Sequence, residues 1–510
     1  MQNNLNTSQR VKYQFNQFVD EYITPRRSIL IRTSLSIVVL LLSVAIPLLD
    51  LTRYSIFIAV LPIAIIGLNY VSQWTGLGMA VITFAALLID FQIGTGTGSS
   101  VNAAMLALVG MIGVWLVNIV INREEISIIS LETFIPLILF VVFSIISFIA
   151  GQITWYSFAG ETSVAAQLGG LSIFIFSALA FWWTGSQVDK LYWLKIALIT
   201  LFIGALMYYV GRIVPRSVAS TFRLNLPRGA AGSMLFVWSA CMALSQGLLN
   251  RRMHWILRII CLSIPVLGVY VAFFQLRGWV SGYLPLFAVM AIVFWLGFPK
   301  QGLLIGFVVA VVGLFQIQTI LERYVFIGDN SYSLGTRLDA WKIVGEIASI
   351  SPIFGLGPAN YYNITPLFPI RGYAVQFNSH SQYVDLYAQV GIVGLVLFFW
   401  FFWRAWKLGW TLRSQVEQYS FEYAYIIGAM GGVVGTLVSA ALGDWVIPFV
   451  YNIGFNGFRA SILCWLFLGG LVAIKRIYRD RELEAENAPA PVRERDSSLP
   501  DSRLNNRLFT

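Results

Sequence analysis

Runs of about 20 apolar residues recur along almost the whole chain, each long enough to cross a bilayer core of ~30 Å. The first extends from about Ser28 to Leu49. Others lie near 54–71, 76–93, 101–121, 133–151, 165–184, 190–210, 230–250, 255–276, 279–298, 301–319, 385–403, 421–443 and 459–475. A hydropathy window of helical-span length reads about 14 spans, within a range of roughly 12–14. Only 11% of the residues are charged and 58% are hydrophobic, against about 25% charged in a soluble domain. So much apolar surface cannot be hidden in one aqueous core. A soluble globule, a disordered chain, a collagen and a disulfide scaffold are excluded. The expected fold class is an all-α polytopic membrane protein.

The net charge is +10, which in lipid is first a statement about orientation, because cytoplasmic loops collect Lys and Arg. With the N-terminus inside, alternation places Arg26, Arg27, Arg32, Arg123, Lys190, Arg251, Arg252, Arg258, Lys300, Arg404, Lys407, Arg413, Lys475 and Arg476 on the cytoplasmic side. No nucleic-acid partner is needed to explain the basicity. Residues 1–27 then form a cytoplasmic segment and 28–319 carry the first spans, about 11 of them. Residues 320–384 make one long outer loop, 385–475 the last spans, and 476–510 a disordered cytoplasmic tail. Residues 1–25 are polar and the run after them is too long for a signal-peptide core, so no cleaved leader is expected. Cys241, Cys261 and Cys464 sit in apolar runs without C-x-x-C or zinc spacing, so neither a disulfide framework nor thiol chemistry is expected.

The outer face keeps basic residues that orientation does not explain: Arg212, Arg216, Arg223, Arg228, Arg277, Arg323, Arg337 and Arg371. Within the long loop, Gly335-Thr336-Arg337-Leu338-Asp339 is expected to open a helix, with Thr336 as cap and Asp339 in capping-box register. Leu338, Trp341, Val344 and Ala348 form an apolar stripe at helical spacing. Ser351-Pro352 ends the helix and Gly355-Leu356-Gly357-Pro358 is a turn.

There are 2 His. His254 lies in a basic cytoplasmic loop and reads as solvated. His380 stands where the long loop meets a span, in Phe377-Asn378-Ser379-His380-Ser381-Gln382-Tyr383. It is either a structural boundary residue or a base near neutral pH. Tyr383 and Asp385 follow it off its i+4 face and are not assigned as partners. Arg277, in Leu276-Arg277-Gly278-Trp279, is either a snorkelling interfacial Arg or a cation at phosphate-headgroup depth. No Walker A loop, H-E-x-x-H or Cys/His cluster occurs, so no metal site and no cofactor are expected. No ionisable residue is placed at mid-membrane. That favours chemistry at a membrane face over ion-coupled transport.

The order Arg277-Gly278, Arg337-x-x-x-Trp341, Pro352, Gly355-Leu356-Gly357-Pro358, His380 and Gly391-Ile392-Val393-Gly394 resembles the O-antigen ligase / O-antigen polymerase superfamily of bacterial envelope-glycan enzymes. The resemblance covers mainly residues 270–400. Ser381 follows His380, and Leu276 precedes Arg277, where the family usually has Asn and Ser. The resemblance implies a GT-C-like glycosyltransferase of the bacterial plasma membrane, needing no metal. It would move a glycan from undecaprenyl diphosphate to a hydroxyl acceptor, a lipid core or a growing glycan, with inversion at the outer (periplasmic) face. His380, Arg337 and Arg277 would be catalytic, and Arg212, Arg223, Arg228 and Arg371 would contribute to binding the anionic donor. A flippase for lipid-linked oligosaccharides and a small-anion transporter are the non-catalytic alternatives.

Overall fold

The computed structural model describes residues 72–94, 100–122, 131–214, 232–276, 279–302, 304 and 330–487. The expected spans at 28–49 and 54–71, and almost all of that at 301–319, lie outside these residues. After a 3₁₀ turn (Ser72–Leu77) come α1 (Gly78–Leu88), α2 (Ala103–Asn122), α3 (Leu131–Ala150), α4 (Val164–Gln187), α5 (Leu191–Ile213), α6 (Ser233–Leu249), α7 (Trp255–Val269, continued by a π-helical turn Tyr270–Gln275) and α8 (Val280–Gly297). The chain continues with α9 (Asn330–Ala348), the single turn α10 (Tyr361–Ile364), α11 (Gln382–Leu412), α12 (Phe421–Ala441) and α13 (Gly454–Asn487). Eight of the described helices are long and apolar enough to cross a membrane, and three shorter ones are as apolar.

The all-helical expectation has one departure among the described residues. Strands β1 (Gln92–Gly94) and β2 (Ser100–Asn102) pair antiparallel between α1 and α2. The run read at 76–93 therefore yields a short helix. Its C-terminal carbonyls at Ala86 and Ile89 accept from the buried guanidinium of Arg459, which also pairs with Asp90 at 2.7 Å. Orphan carbonyls at a helix end need such donors. Arg459 sits in the second turn of α13, near the end of the span, and is 1% exposed.

Sequence pattern decides which faces meet lipid. On α3, Ile135, Ile138, Val142, Ile145 and Ile149 are exposed at i, i+3, i+7 spacing, while Phe134, Leu137 and Phe140 are buried. An exposed stripe made only of large aliphatic side chains is stable against hydrocarbon, not water. The most enclosed helix is α13, with 94% of its apolar window buried, and α4 packs along it. Around this post α12 contacts α6 and α8, and α3 contacts α11. Past residue 475, where a disordered tail was expected, α13 stays helical to Asn487. Arg476 and Asp480 pair one turn apart at 3.6 Å, and Arg, Leu, Glu and Ala are strong helix formers.

One end of the bundle is capped by the segment around α9 and α10. Val344, Ile347 and Ala348 of α9 join Leu356, Tyr361, Ile364, Ala388 and Phe449 in a second, small apolar core. Each large side chain buried there contributes about 1.5–3 kcal/mol. The cap is fastened where α11 breaks. At Gly391 the backbone turns to φ 64°, ψ −173°, a region open essentially to glycine alone. The break leaves the carbonyls of Ala388 and Gln389 without helical partners. The amides of Leu356 (2.8 Å) and Gly357 (3.0 Å) supply them, and the amide of Ile392 returns a bond to Pro352 (2.8 Å). A Cβ on Gly391 would stand 2.1 Å from the Ile353 carbonyl oxygen. Gly391→Ala should therefore cost about 2–4 kcal/mol, the backbone strain plus a forced displacement of the 352–357 turn. Thermal unfolding in detergent will register it as a marked loss against wild type.

Candidate functional site

Helix α9 begins earlier than its sequence suggested. It is already helical at Asn330, and Thr336 lies inside it, its hydroxyl donating to the Tyr332 carbonyl at 2.8 Å. A hydroxyl bonded back along the helix cannot cap it. Arg337 thus stands beyond the positively polarised first turn. The buried stripe is Ala340, Val344, Ile347 and Ala348, while Leu338 is exposed.

Arg337 and Trp341 are i and i+4 neighbours and share a face of α9. The Trp341 indole N–H donates to the Ser379 carbonyl at 2.8 Å. That single bond delivers the His380 loop to the arginine's face of the helix. His380 itself has φ 51°, a left-handed conformation uncommon outside glycine, in which His is enriched several-fold. Such strain persists only where the surroundings over-determine it. Here they do: the Ser379 hydroxyl donates to Asp385 (2.7 Å) and accepts from the Ser381 amide (3.0 Å), and the Asp385 amide donates to Ser381 (2.9 Å). Asp385 is fully buried and also accepts from the Tyr361 hydroxyl of α10 at 2.5 Å. Burial, and then the Asp385 charge, hold the Tyr361 phenol well above its usual pKa, so it stays a donor.

The electrostatics follow from this placement. The His380 imidazole is partly open to solvent. The desolvation it does suffer lowers its pKa from 6.5, and the nearby positive charge of Arg337 lowers it further. Burial also lowers the Arg337 pKa, but a guanidinium remains charged at physiological pH. Among the described residues no hydrogen bond or ion pair engages the side chain of either Arg337 or His380. The site therefore presents an unneutralised cation beside a neutral imidazole: an anion binder next to a proton acceptor.

The other predicted residues are placed differently. Arg371 (φ 50°) lies across α9, bonded to Asp339 at 2.8 Å and 4.5 Å above the Tyr332 ring; the Asp339 hydrogen bond raises its pKa. Its charge is thus already paired. Arg212 ends α5, exposed, over the Tyr208 ring at 5.6 Å, and no described contact joins it to Arg337 or His380. Arg277, Arg223 and Arg228 lie outside the described residues.

Sequence reading missed Asp385, which does position the loop, and Asp444, whose carboxylate accepts from the Phe449 amide (2.9 Å) and the Asn452 side chain (2.7 Å). The signal was available in both cases, since each is a lone acid in an apolar stretch. Gln382 ties these parts together by accepting from the amides of Val446 and Ile447.

Taken together, fold and site define a multi-pass membrane protein with a histidine and an unpaired arginine on a cap at one end of its bundle. Residues 258–399 match the family model of O-antigen ligase, a similarity that supports the O-antigen ligase / O-antigen polymerase superfamily for this segment. The matched residues include Arg277, Arg337, Arg371 and His380. A comparison with curated proteins returns no match.

Two measurements check the site. With His254→Asn as background, one imidazole remains, and its NMR titration should fall below 6.5; adding Arg337→Gln should move it upward. The sign for stability follows: the unfolded chain binds the His380 proton more readily, so this residue's contribution is lost as pH falls below about 6.5. Asp385→Ala should cost about 1–3 kcal/mol, because two buried hydroxyls lose their acceptor. Asp385→Asn, which keeps an acceptor oxygen, should cost less in the same unfolding assay.

Proposed function

We propose that this protein transfers a glycan from undecaprenyl diphosphate to a hydroxyl acceptor, at the outer face of the bacterial plasma membrane and without a metal. The observation that carries the proposal is the shared face of Arg337 and His380, both without described partners, on a cap held at one end of the bundle. The reading places that cap outside, both termini inside, and the donor's lipid tail in the surrounding bilayer.

In the reaction, the acceptor hydroxyl oxygen attacks the anomeric carbon as the bond from that carbon to the diphosphate oxygen breaks. The electron pair leaves with undecaprenyl diphosphate and the hydroxyl proton passes to the His380 imidazole. A neutral imidazole is the competent base, and burial, with Arg337 adding to it, favours that form. Arg337 also meets the charge that grows on the departing diphosphate, where a bidentate guanidinium is most effective. Arg277 is proposed as a second cation there, from its position in the sequence. Arg212, Arg223 and Arg228 remain proposed donor-binding residues, and Arg371 would join them only by releasing Asp339. Base on one side and cation on the other give inversion at the anomeric carbon.

The test is transfer from a lipid-linked glycan donor by the purified protein in nanodiscs. His380→Ala and Arg337→Ala should each lower the rate about 10²-fold or more, and EDTA should leave it unchanged. Full activity in His380→Ala overturns the base assignment. Passage of donor between leaflets without transfer overturns the enzyme reading in favour of a carrier.

A further inference from the structure

A recess lies at the same end of the bundle, between the linker from α3 to α4 and the turn α10. Its volume is about 260 Å³, below the ~300–1,000 Å³ of drug-sized sites and on the scale of one sugar ring. Neither Arg337 nor His380 lines it. Its chemistry rests on Trp155, Tyr156, Gln152, Glu161, Thr162 and Asn360.

The aromatic pair is held fast by its polar tips. The Trp155 indole donates to the Ala150 carbonyl (3.2 Å), and the Tyr156 hydroxyl to the Ile347 carbonyl of α9 (2.9 Å). The rings are therefore pre-set shelves, with little rotamer entropy left to lose on binding. The amides are used asymmetrically. The Gln152 NH₂ donates to the Phe148 carbonyl (2.9 Å) and to Gln167 (2.6 Å). The Asn360 NH₂ donates to the carbonyls of Gly151 (2.8 Å) and Leu356 (2.7 Å). Both donors of each amide are occupied, so what each still offers is its carbonyl oxygen. The Glu161 carboxylate, exposed and without a described partner, adds two more acceptors.

A recess that pairs fixed aromatic shelves with unused acceptors suits a ligand with an apolar C–H face and several O–H donors. That is the chemistry of a pyranose. One formal charge in the lining, on exposed Glu161, is too little to select a cation. The recess also connects to the transfer site. Asn363 donates to Thr162 at 2.8 Å, and Gln376 donates to Asn363 at 2.5 Å. Gln376 is exposed and four residues before His380. A polar track of amides thus leads from the recess to the His380 loop.

We infer that this recess is a subsite for an uncharged sugar unit of the transferred or accepting glycan, set back from the bond that is made. The inference rests on the glycan-transfer reading, and its test reads binding rather than transfer. Full-length protein in detergent is titrated with two probes, followed by saturation-transfer NMR. One is the reducing oligosaccharide freed by mild acid from the producing cells' lipid-linked glycans; the other is the core oligosaccharide freed from their envelope glycolipid. The wild type should bind one probe saturably, and which one names the source of the sugar. Glu161→Ala with Gln152→Ala, both at exposed positions, should weaken binding about tenfold, as expected for two lost hydrogen bonds. The milder Glu161→Gln should weaken it about threefold, and His380→Ala should leave it unchanged. Saturable binding of neither probe, or equal affinity in wild type and both recess variants, overturns the subsite. Binding that follows the recess while transfer ignores His380→Ala leaves the subsite standing and fells the transfer mechanism; the opposite pattern does the reverse.

Discussion

The arrangement of the whole cap depends on a backbone-to-backbone contact at the break in α11. A helix that stops in the middle exposes carbonyls that nothing in hydrocarbon would satisfy. Here the amides of Leu356 and Gly357 fill that need, and Pro352 receives a bond in return. Side chains would hold the two strands of chain too far apart for this. Gly391 and Gly355 meet with backbone atoms near 2.6–2.7 Å of where a Cβ would be. Residues far apart in sequence are thereby locked in one register, and the stub Gln382–Val390 is turned to carry His380 over α9.

From that fixed point, order spreads through a set of paired polar groups. Asp385 is engaged by Ser379 and Tyr361, Asp444 by Phe449 and Asn452, Arg371 by Asp339 and Arg459 by α1. Buried polar groups left unpaired are costly, so pairing is the expected condition. Against that background, an arginine and a histidine that share a face without partners stand out. The same contrast separates Arg337 from Arg371, which composition alone treats as equals.

Much of this was legible in the sequence, because span length and the spacing of apolar residues are properties of a helix in lipid. The runs behind α3, α4, α5, α7, α8, α11 and α12 show in hydropathy alone. The motif Gly355-Leu356-Gly357-Pro358 and the glycines from Gly391 could be read as turn and helix signals. Their mutual contact could not, since it is a tertiary pairing of backbones. The start of α9 was misplaced because Thr336 has the same local pattern whether it caps a helix or bonds back within one. Asp385 was passed over because an i+4 rule tests one continuous helix, whereas the chain between His380 and Asp385 turns from a strained loop into a helix start.

That turn carries the functional consequence. Were His380 on the helix proper, its orientation would follow from α11 and its environment from lipid. Standing two residues before the helix begins, in a left-handed conformation, it is oriented by three separate pieces of the cap: Trp341 on α9, Asp385 on α11 and, through Asp385, Tyr361 on α10. An imidazole held this way takes its orientation from the cap, in which Asp385 and Tyr361 are fully buried. The arginine beside it is carried on one of those same supports. Cation and imidazole are therefore positioned by one common framework, as the proposed displacement at a single anomeric carbon would require.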